Sequence, residues 1–111
     1  MEPDEHYQEY MRYVLKEGSW ESRCIGAEDV KPEYLVEVIN DPSWQVRAIV
    51  AARIPEKHLE AMIDDPCSEV RREVAKRIHP AHLPRLIKDK DPQTQLTALK
   101  RMRPPGMVGN K

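Results

Sequence analysis

The stretch DPSWQVRAIVAARIPEKHLEAMID, residues 41–64, is followed directly by an altered copy of itself, DPCSEVRREVAKRIHPAHLPRLIK, at residues 65–88. Self-similarity at a fixed period is the signature of one supersecondary unit stacked on further copies of itself. A unit of this length has too little apolar surface to fold alone, so each copy must bury its side chains against its neighbours. The repeat therefore predicts a solenoid.

The register extends upstream, where Ser19-Trp20-Glu21 matches Ser43-Trp44-Gln45 and Leu35 matches Leu59. Three units are about the minimum at which stacking buries a continuous core. The predicted organisation is an N-terminal capping helix at 1–18, a repeat domain at 19–103 and a flexible tail at 104–111. Its units span 17–40, 41–64 and 65–90, with a half unit at 91–103.

Downstream, Asp91-Pro92 reopens the pattern after an apparent two-residue insertion at Asp89-Lys90. With this insertion, Leu96 takes the position that Val46 and Val70 hold in the preceding units. The half unit is more polar than the others, so we expect it to close the C-terminal end of the stack.

The second unit, the third unit and the half unit open with Asp-Pro, at 41–42, 65–66 and 91–92. Aspartate is a strong acceptor at a helix N-cap, and proline suits the first helical position. A second proline, Pro32, Pro55 or Pro80, predicts a shorter second helix. Its inward face carries apolar residues at i, i+3 and i+4. No segment alternates with a period of two, so the predicted fold class is all-α.

Residues 3–17 predict a separate amphipathic helix that ends at Gly18. Its expected inward stripe is formed by apolar and aromatic side chains: Tyr7, Tyr10, Met11, Val14 and Leu15. A terminal helix that departs from the repeat is what a solenoid needs to cover an open end.

The composition is that of a globular, water-exposed chain of 111 residues, with 40% hydrophobic and 33% charged residues and a mean hydropathy of -0.73. No run approaches the roughly 18 apolar residues that would indicate a membrane span. The acidic start lacks the apolar core of a secretory signal, and two cysteines are too few for a disulfide framework. We expect a cytoplasmic protein without membrane contact.

The Asp-Pro-x-x-x-Val-Arg opening, the proline-led second helix and the Leu-x-x-Leu/Met-Ile ending resemble the leucine-rich repeat variant family over residues 17–103. This bacterial family is related to HEAT-like and armadillo-like repeats. The resemblance implies a short right-handed α-solenoid in which an α-helix alternates with a short or 3₁₀ helix. It also implies a protein-interaction scaffold rather than an enzyme.

A known family member carries an N-terminal iron–sulfur module, and the family occurs near nitrogen-fixation genes. A cubane cluster needs about four cysteine thiolates, whereas this chain has only Cys24 and Cys67. We therefore expect no cluster and no other cofactor. An accessory role beside a cluster-bearing partner stays open as an alternative.

Residue patterns for a metal site or for catalysis are weak. His82 occupies the repeat position of His58 and Tyr34, which indicates a packing or rim position instead of a metal ligand. Cys24 and Cys67 lie about two units apart, too far to form a disulfide. The sequence has no phosphate-binding glycine loop and no H-E-x-x-H or G-x-S-x-G motif.

Arginines recur in one register at 23, 47 and 71. They could grip an anionic ligand, but pairing with Asp41, Asp65 and Asp91 of neighbouring units is the favoured interpretation. Charge-assisted bonds of this kind would fasten the units together.

Charge is distributed unevenly along the chain. Residues 1–40 carry 10 acidic and 4 basic side chains, a net charge of -6, while residues 41–111 carry 9 acidic and 14 basic, a net charge of +5. Trp20 and Trp44 either pack between units, which is the favoured interpretation, or form an exposed aromatic anchor for a partner. The basic residues of the C-terminal part either form a solvated helical face, which is favoured, or bind an acidic protein partner or nucleic acid. This C-terminal basic cluster consists of Arg71, Arg72, Lys76, Arg77, Arg85, Lys88, Lys90, Lys100, Arg101 and Arg103. The candidate binding residues are Trp20, Trp44, Arg72, Lys76, Arg77, Lys100 and Arg101.

Overall fold

The computed structural model describes residues 3–103, and every regular element within this range is a helix. The predicted tail at 104–111 lies outside the described residues. Three 3₁₀ helices, η1 to η3, alternate with the α-helices. The elements in order are α1 Pro3–Val14, α2 Trp20–Asp29, η1 Pro32–Val38, α3 Trp44–Arg53, η2 Glu56–Met62, α4 Ser68–Arg77, η3 Pro80–His82, α5 Leu83–Leu86 and α6 Pro92–Met102.

The first helices of successive units pack against one another in the order α2, α3, α4 and α6, and α1 packs on α2. Each second helix packs against the first helix of the next unit, as η1 does on α3 and η2 on α4. The stack is elongated, with extents of 54 × 28 × 21 Å. The predicted all-α solenoid is confirmed.

The core consists of repeated rows of aliphatic side chains. Leu35, Leu59 and Leu83, which occupy the same position in successive units, are all essentially excluded from solvent. Val50 and Val74 form an equivalent buried row on the first helices. Because each row continues through neighbouring units, the core runs unbroken along the stack.

Helix starts differ from the prediction in two of the three units. Ser43, not Asp41, caps α3, since its Oγ accepts bonds from the Gln45 and Val46 amides. Asp41 instead accepts a bond from the Ser43 amide at 2.9 Å. Asp65 accepts likewise from the Cys67 amide just before α4. The prediction holds for Asp91, which caps α6 through the Thr94 amide.

The predicted insertion at Asp89-Lys90 is wrong, because the repeat period continues without interruption. Asp89 forms the contact with the third unit's arginine that Asp41 and Asp65 form in the units before it. Thr94 therefore takes the position of Val46 and is fully buried, while Leu96 is 43% exposed. The third unit ends at residue 88.

Helix α1 follows the same period, because Met11 lies one period before Leu35 and is buried as Leu35 is. Leu15 is also buried, but Tyr7 and Tyr10 are exposed, so the predicted tyrosine part of the inward stripe is wrong. The end of α1 approaches α2 at Gly26, where a Cβ atom would lie 2.8 Å from the Leu15 nitrogen.

The C-terminal end is not closed by polar side chains, contrary to the prediction. Leu96, Leu99 and Met102 of α6 are 43%, 53% and 41% exposed. The polar residues of the half unit occupy other positions, and Thr94 is buried in the core. An apolar surface is thus left at this end of the described chain.

Candidate protein-interaction face

The first helices present one continuous surface to solvent. Residues at i, i+4 and i+8 lie along one side of an α-helix, and packing side by side brings these sides together. We call this surface the outer helix face. It comprises Trp20, Cys24 and Glu28 on α2, Trp44, Ala48 and Ala52 on α3, Ser68, Arg72 and Lys76 on α4, and Pro92, Leu96 and Lys100 on α6.

Trp20 and Trp44 lie at one edge of this face, each as the first residue of its helix. Serine caps hold both helix starts, since Ser19 accepts a bond from the Ser22 amide and Ser43 accepts from two amides. The indole-bearing residues are 42% and 41% exposed. Two large aromatic side chains are thus presented at matched places on neighbouring helices.

The arginine register at 23, 47 and 71 joins neighbouring units, as the favoured interpretation predicts. Each guanidinium makes a two-pronged contact with the aspartate 18 residues later, with Nε to Oδ2 distances of 2.7 to 2.9 Å. The third partner is Asp89 and not the predicted Asp91. These pairs are largely shielded from solvent, so this row is not available as an anion-binding surface.

Hydrogen bonds to their aspartates raise the pKa of all three arginines, although burial opposes the charge. Burial also disfavours ionisation of Asp89. The bonds from Arg71 and from the Asp91 amide outweigh it, and the pKa of Asp89 is lowered. The pair of Arg71 and Asp89 therefore stays ionised at neutral pH.

A second arginine row, which sequence reasoning missed, reaches back to the preceding unit. Arg53 donates to the Ala27 carbonyl at 2.6 Å, Arg77 to the Ala51 carbonyl at 2.8 Å, and Arg101 to the Ala75 carbonyl at 3.1 Å. Such bonds satisfy carbonyls at the helix C-terminus that lack an intrahelical partner. The recurrence of arginine at the repeat period was the available signal.

This second row changes the candidate binding surface. The guanidinium groups of Arg77 and Arg101 donate hydrogen bonds to backbone carbonyls, and these two residues do not lie on the outer helix face. Trp20, Trp44, Arg72, Lys76 and Lys100 do lie on it. Five of the seven candidate residues are thus brought to one surface.

The basic residues of this face differ in how strongly they are engaged. Arg72 contacts Asp91 through Nε at 3.0 Å, and Lys76 lies 2.9 Å from Glu73. The bond from Arg72, followed by that from Thr94, lowers the pKa of Asp91 from 3.8 to about 2. Lys100 is exposed and has no ion-pair partner within residues 3–103.

Charge changes sign across the outer helix face. Glu28 on α2 is followed at the equivalent positions by Ala52 on α3, Lys76 on α4 and Lys100 on α6. Neighbouring packed helices lie about 8–10 Å apart. The change from negative to positive charge therefore takes place over a distance that a short peptide segment can span. The face is acidic at one end, apolar in the middle and basic at the other.

Residues 44–66, which run from α3 through η2, match the leucine-rich repeat variant family. A solved structure described as a leucine-rich repeat variant with a novel repetitive protein structural motif is similar to this chain, with a TM-score of 0.76 and 30% sequence identity. The resemblance to leucine-rich repeat variants is confirmed. The match covers 88% of this chain and 46% of the solved one, so the chain spans less than half of that length. No curated protein matches the chain.

The repeat units contain two partly buried free thiols, Cys24 and Cys67. Burial and, to a smaller extent, the nearby Glu28 raise the pKa of Cys24, which favours the unreactive thiol form. Cys67 donates to Glu69 Oε1 at 3.1 Å. Within residues 3–103, no group of three His, Cys, Asp or Glu side chains is placed to hold a metal ion.

The Tyr34, His58 and His82 register lies at the boundary between stacked units, as the packing interpretation predicts. Arg12 lies over the Tyr34 ring at 4.5 Å, and His82 Nε2 lies 3.7 Å from Glu60 Oε1.

Across the described residues, none of the helices has the length and apolar content needed to span a bilayer.

Proposed function

We propose that this chain is a non-catalytic protein-interaction module that binds its partner on the outer helix face. The observation that carries the proposal is the matched exposure of Trp20 and Trp44 on adjacent helices. Tryptophan is enriched among the residues that dominate binding energy at protein interfaces. A rigid helical stack holds the two rings in place before binding, which lowers the entropic cost of association.

The charge change across the face supports a protein ligand with its own charge asymmetry. The basic end, at Lys76 and Lys100, would meet an acidic part of the partner, and Glu28 would meet a basic part. We further propose a cytoplasmic location, because free thiols such as Cys24 and Cys67 persist in reducing compartments.

Nucleic acid is the less favoured ligand, because several cluster arginines are already engaged within the protein. Arg71 is paired with Asp89, and Arg77 and Arg101 donate to carbonyls. Helices α4 and α6, which carry most of the cluster, have no exposed aromatic residue within residues 3–103. Bases could stack only at the edge of the cluster, on Trp44 of the neighbouring α3.

The test of the main proposal is affinity capture from the native cell with three baits. They are the wild type, the double variant Trp20→Ala/Trp44→Ala, and Val36→Ala, a similarly exposed residue on η1. We expect a partner that is retained by the wild type and the control but lost by the double variant. With the purified partner, we expect each tryptophan change to weaken binding about 30-fold, as at interface hot spots. A partner retained equally by all three baits would place the binding surface elsewhere.

The nucleic-acid alternative is tested by titrating mixed-sequence DNA and RNA at about 150 mM salt. Neutralising several phosphates would give a binding constant that falls steeply with salt, with a slope of roughly -0.9 per contact on duplex DNA. We expect no saturable binding. Tight binding at that salt, abolished by Lys88→Glu with Lys100→Glu in folded protein, would make nucleic acid the better assignment.

A further inference from the structure

The exposed apolar side chains are concentrated at the two ends of the stack. Six of the ten large hydrophobic residues that are exposed within residues 3–103 lie on the terminal helices α1 and α6. Helix α4, in the interior, contributes none of them. The six are Tyr7, Tyr10 and Tyr13 on α1, and Leu96, Leu99 and Met102 on α6.

The end formed by α6, which we call the C-terminal end face, comprises Leu96, Leu99, Met102 and the partly buried Ile87. Leu99 occupies the repeat position that an alanine holds in each earlier unit. These alanines form a row, and each is fully buried because the next unit packs over it. The larger leucine would not fit at the same close helix spacing. This end face therefore suits a different apolar surface and not a further unit of the same kind. The alanine row is Ala27, Ala51 and Ala75.

The opposite end, the N-terminal end face, comprises Glu9, Tyr10 and Tyr13 of α1. Tyr10 lies one period before Tyr34, whose ring contacts Arg12 of the unit before it. Because Tyr10 occupies the same repeat position, it lies on the side of α1 where a preceding unit would pack. Tyr10 and Tyr13 are 65% and 66% exposed, the highest values among the exposed large hydrophobic residues of the described chain.

The charges of the two end faces are complementary. Arg12 on α1 and Lys16 just after its end both contact Glu37 of the first unit, whereas Glu9 on α1 is exposed. Around α6, the exposed side chains of Lys90, Lys100 and Arg103 have no ion-pair partner within residues 3–103. The N-terminal end face thus presents the carboxylate of Glu9, and the C-terminal end face is bordered by positive charge.

We propose that copies of this chain associate head to tail, with the C-terminal end face of one copy on the N-terminal end face of the next. Leu96 and Leu99 pack against the rings of Tyr10 and Tyr13, while the surrounding lysines face Glu9. A contact between two different surfaces leaves one of each free at the ends of the series, so that further copies can add until a ring closes or a filament forms. Pairing two C-terminal end faces would instead bring like charges together.

The first test is sedimentation velocity of the full chain across a range of concentrations. At about 0.01 M salt the screening length is about 30 Å, and at about 1 M it is about 3 Å. We expect species larger than the 12.9 kDa monomer that grow with concentration at low salt and dissociate at high salt. A monomer at every concentration in low salt would overturn the proposal.

The second test uses one variant for each end face. Leu99→Asp alters the C-terminal end face and Tyr10→Lys alters the N-terminal end face, and both residues are more than half exposed, so folding is preserved. We expect each variant alone to associate at least about tenfold more weakly than the wild type. The control Val36→Asp changes an exposed apolar residue of η1 and should associate as the wild type does.

Mixing the two variants decides the geometry. Each retains one unaltered face, and the two retained faces are the ones that pair head to tail. We expect a complex of one copy of each that does not grow further. A symmetric dimer through either end would give no such complex, and its absence, or wild-type association by either single variant, would refute head-to-tail assembly. Circular dichroism of each variant verifies that the helices remain intact.

Discussion

Replacement of Arg47 by alanine removes one of the shielded ion pairs that join neighbouring units. Arg47 donates two hydrogen bonds to the Asp65 carboxylate, from Nε to Oδ2 at 2.8 Å and from Nη2 to Oδ1 at 3.1 Å. Its Nη1 donates a third bond to the Asp41 carbonyl at 2.8 Å. Its side chain is 14% exposed and that of Asp65 is 8% exposed. The alanine variant would leave the Asp65 charge shielded from water without its cation.

Removing one partner of a buried ion pair costs about 3–5 kcal/mol. Asp65 would keep its bond from the Cys67 amide, so we expect a loss near the lower limit, about 3 kcal/mol. Arg47→Lys retains the positive charge but not the two-pronged geometry, so its loss should be smaller. Urea unfolding followed by circular dichroism measures these changes, provided that the slope with denaturant is unchanged.

The matched control is Arg72→Ala. The side chains of Arg72 and Asp91 are 35% and 16% exposed, and Asp91 keeps its bonds from Thr94. Because Arg72 is more accessible to water than Arg47, screening weakens its pair, and we expect a loss of about 1 kcal/mol. Equal losses for Arg47→Ala and Arg72→Ala, or a loss below about 1 kcal/mol for Arg47→Ala, would refute the view that the shielded row fastens the units.

Three further predictions concern stability. Leu59→Ala should lower the free energy of unfolding by about 2–5 kcal/mol, because it leaves a cavity in the middle of the leucine row; a loss below about 1 kcal/mol would contradict this. Asp91→Asn should lower the melting temperature above about pH 4. The difference from the wild type should vanish as the pH falls towards 2, because the pKa of Asp91 is lowered in the folded state; a difference that persists at pH 2 would exclude this cause. Gly26→Ala should cost about 1–3 kcal/mol, because its Cβ would lie within 2.9 Å of the Leu15 backbone. An unchanged urea midpoint would show that α1 shifts freely.

The buried rows of the fold were predictable from the sequence, because repetition at a fixed period places Leu35, Leu59 and Leu83 in equivalent surroundings. The helix starts were less predictable. Asp-Pro is favourable at an N-cap, yet Asp41 and Asp65 pair with the inter-unit arginines. The N-cap position falls two residues later, where Ser43 caps α3 through its side chain and Cys67 makes no side-chain cap bond to α4. Local preference and tertiary pairing compete for the same carboxylate.

The apparent insertion arose because Asp91-Pro92 repeats the Asp-Pro letters two residues out of phase. Asp89 performs the structural role, followed by Lys90 instead of proline. On the candidate site, the sequence favoured inter-unit packing for Trp20 and Trp44, whereas these residues are 42% and 41% exposed in the structure. Composition alone could not show that Arg77 and Arg101 donate to backbone carbonyls, since that depends on how closely the helices stack.

The two arginine rows have a consequence for how the chain reaches its folded state. The Arg47–Asp65 bonds span 18 residues, and the bond from Arg77 to Ala51 spans 26. Loop-closure entropy rises with the length of chain between contacting residues, and proteins whose contacts are near in sequence fold fast. During synthesis, each unit acquires its polar partners as soon as about one further unit has emerged, so the stack can grow from its first units without waiting for the last.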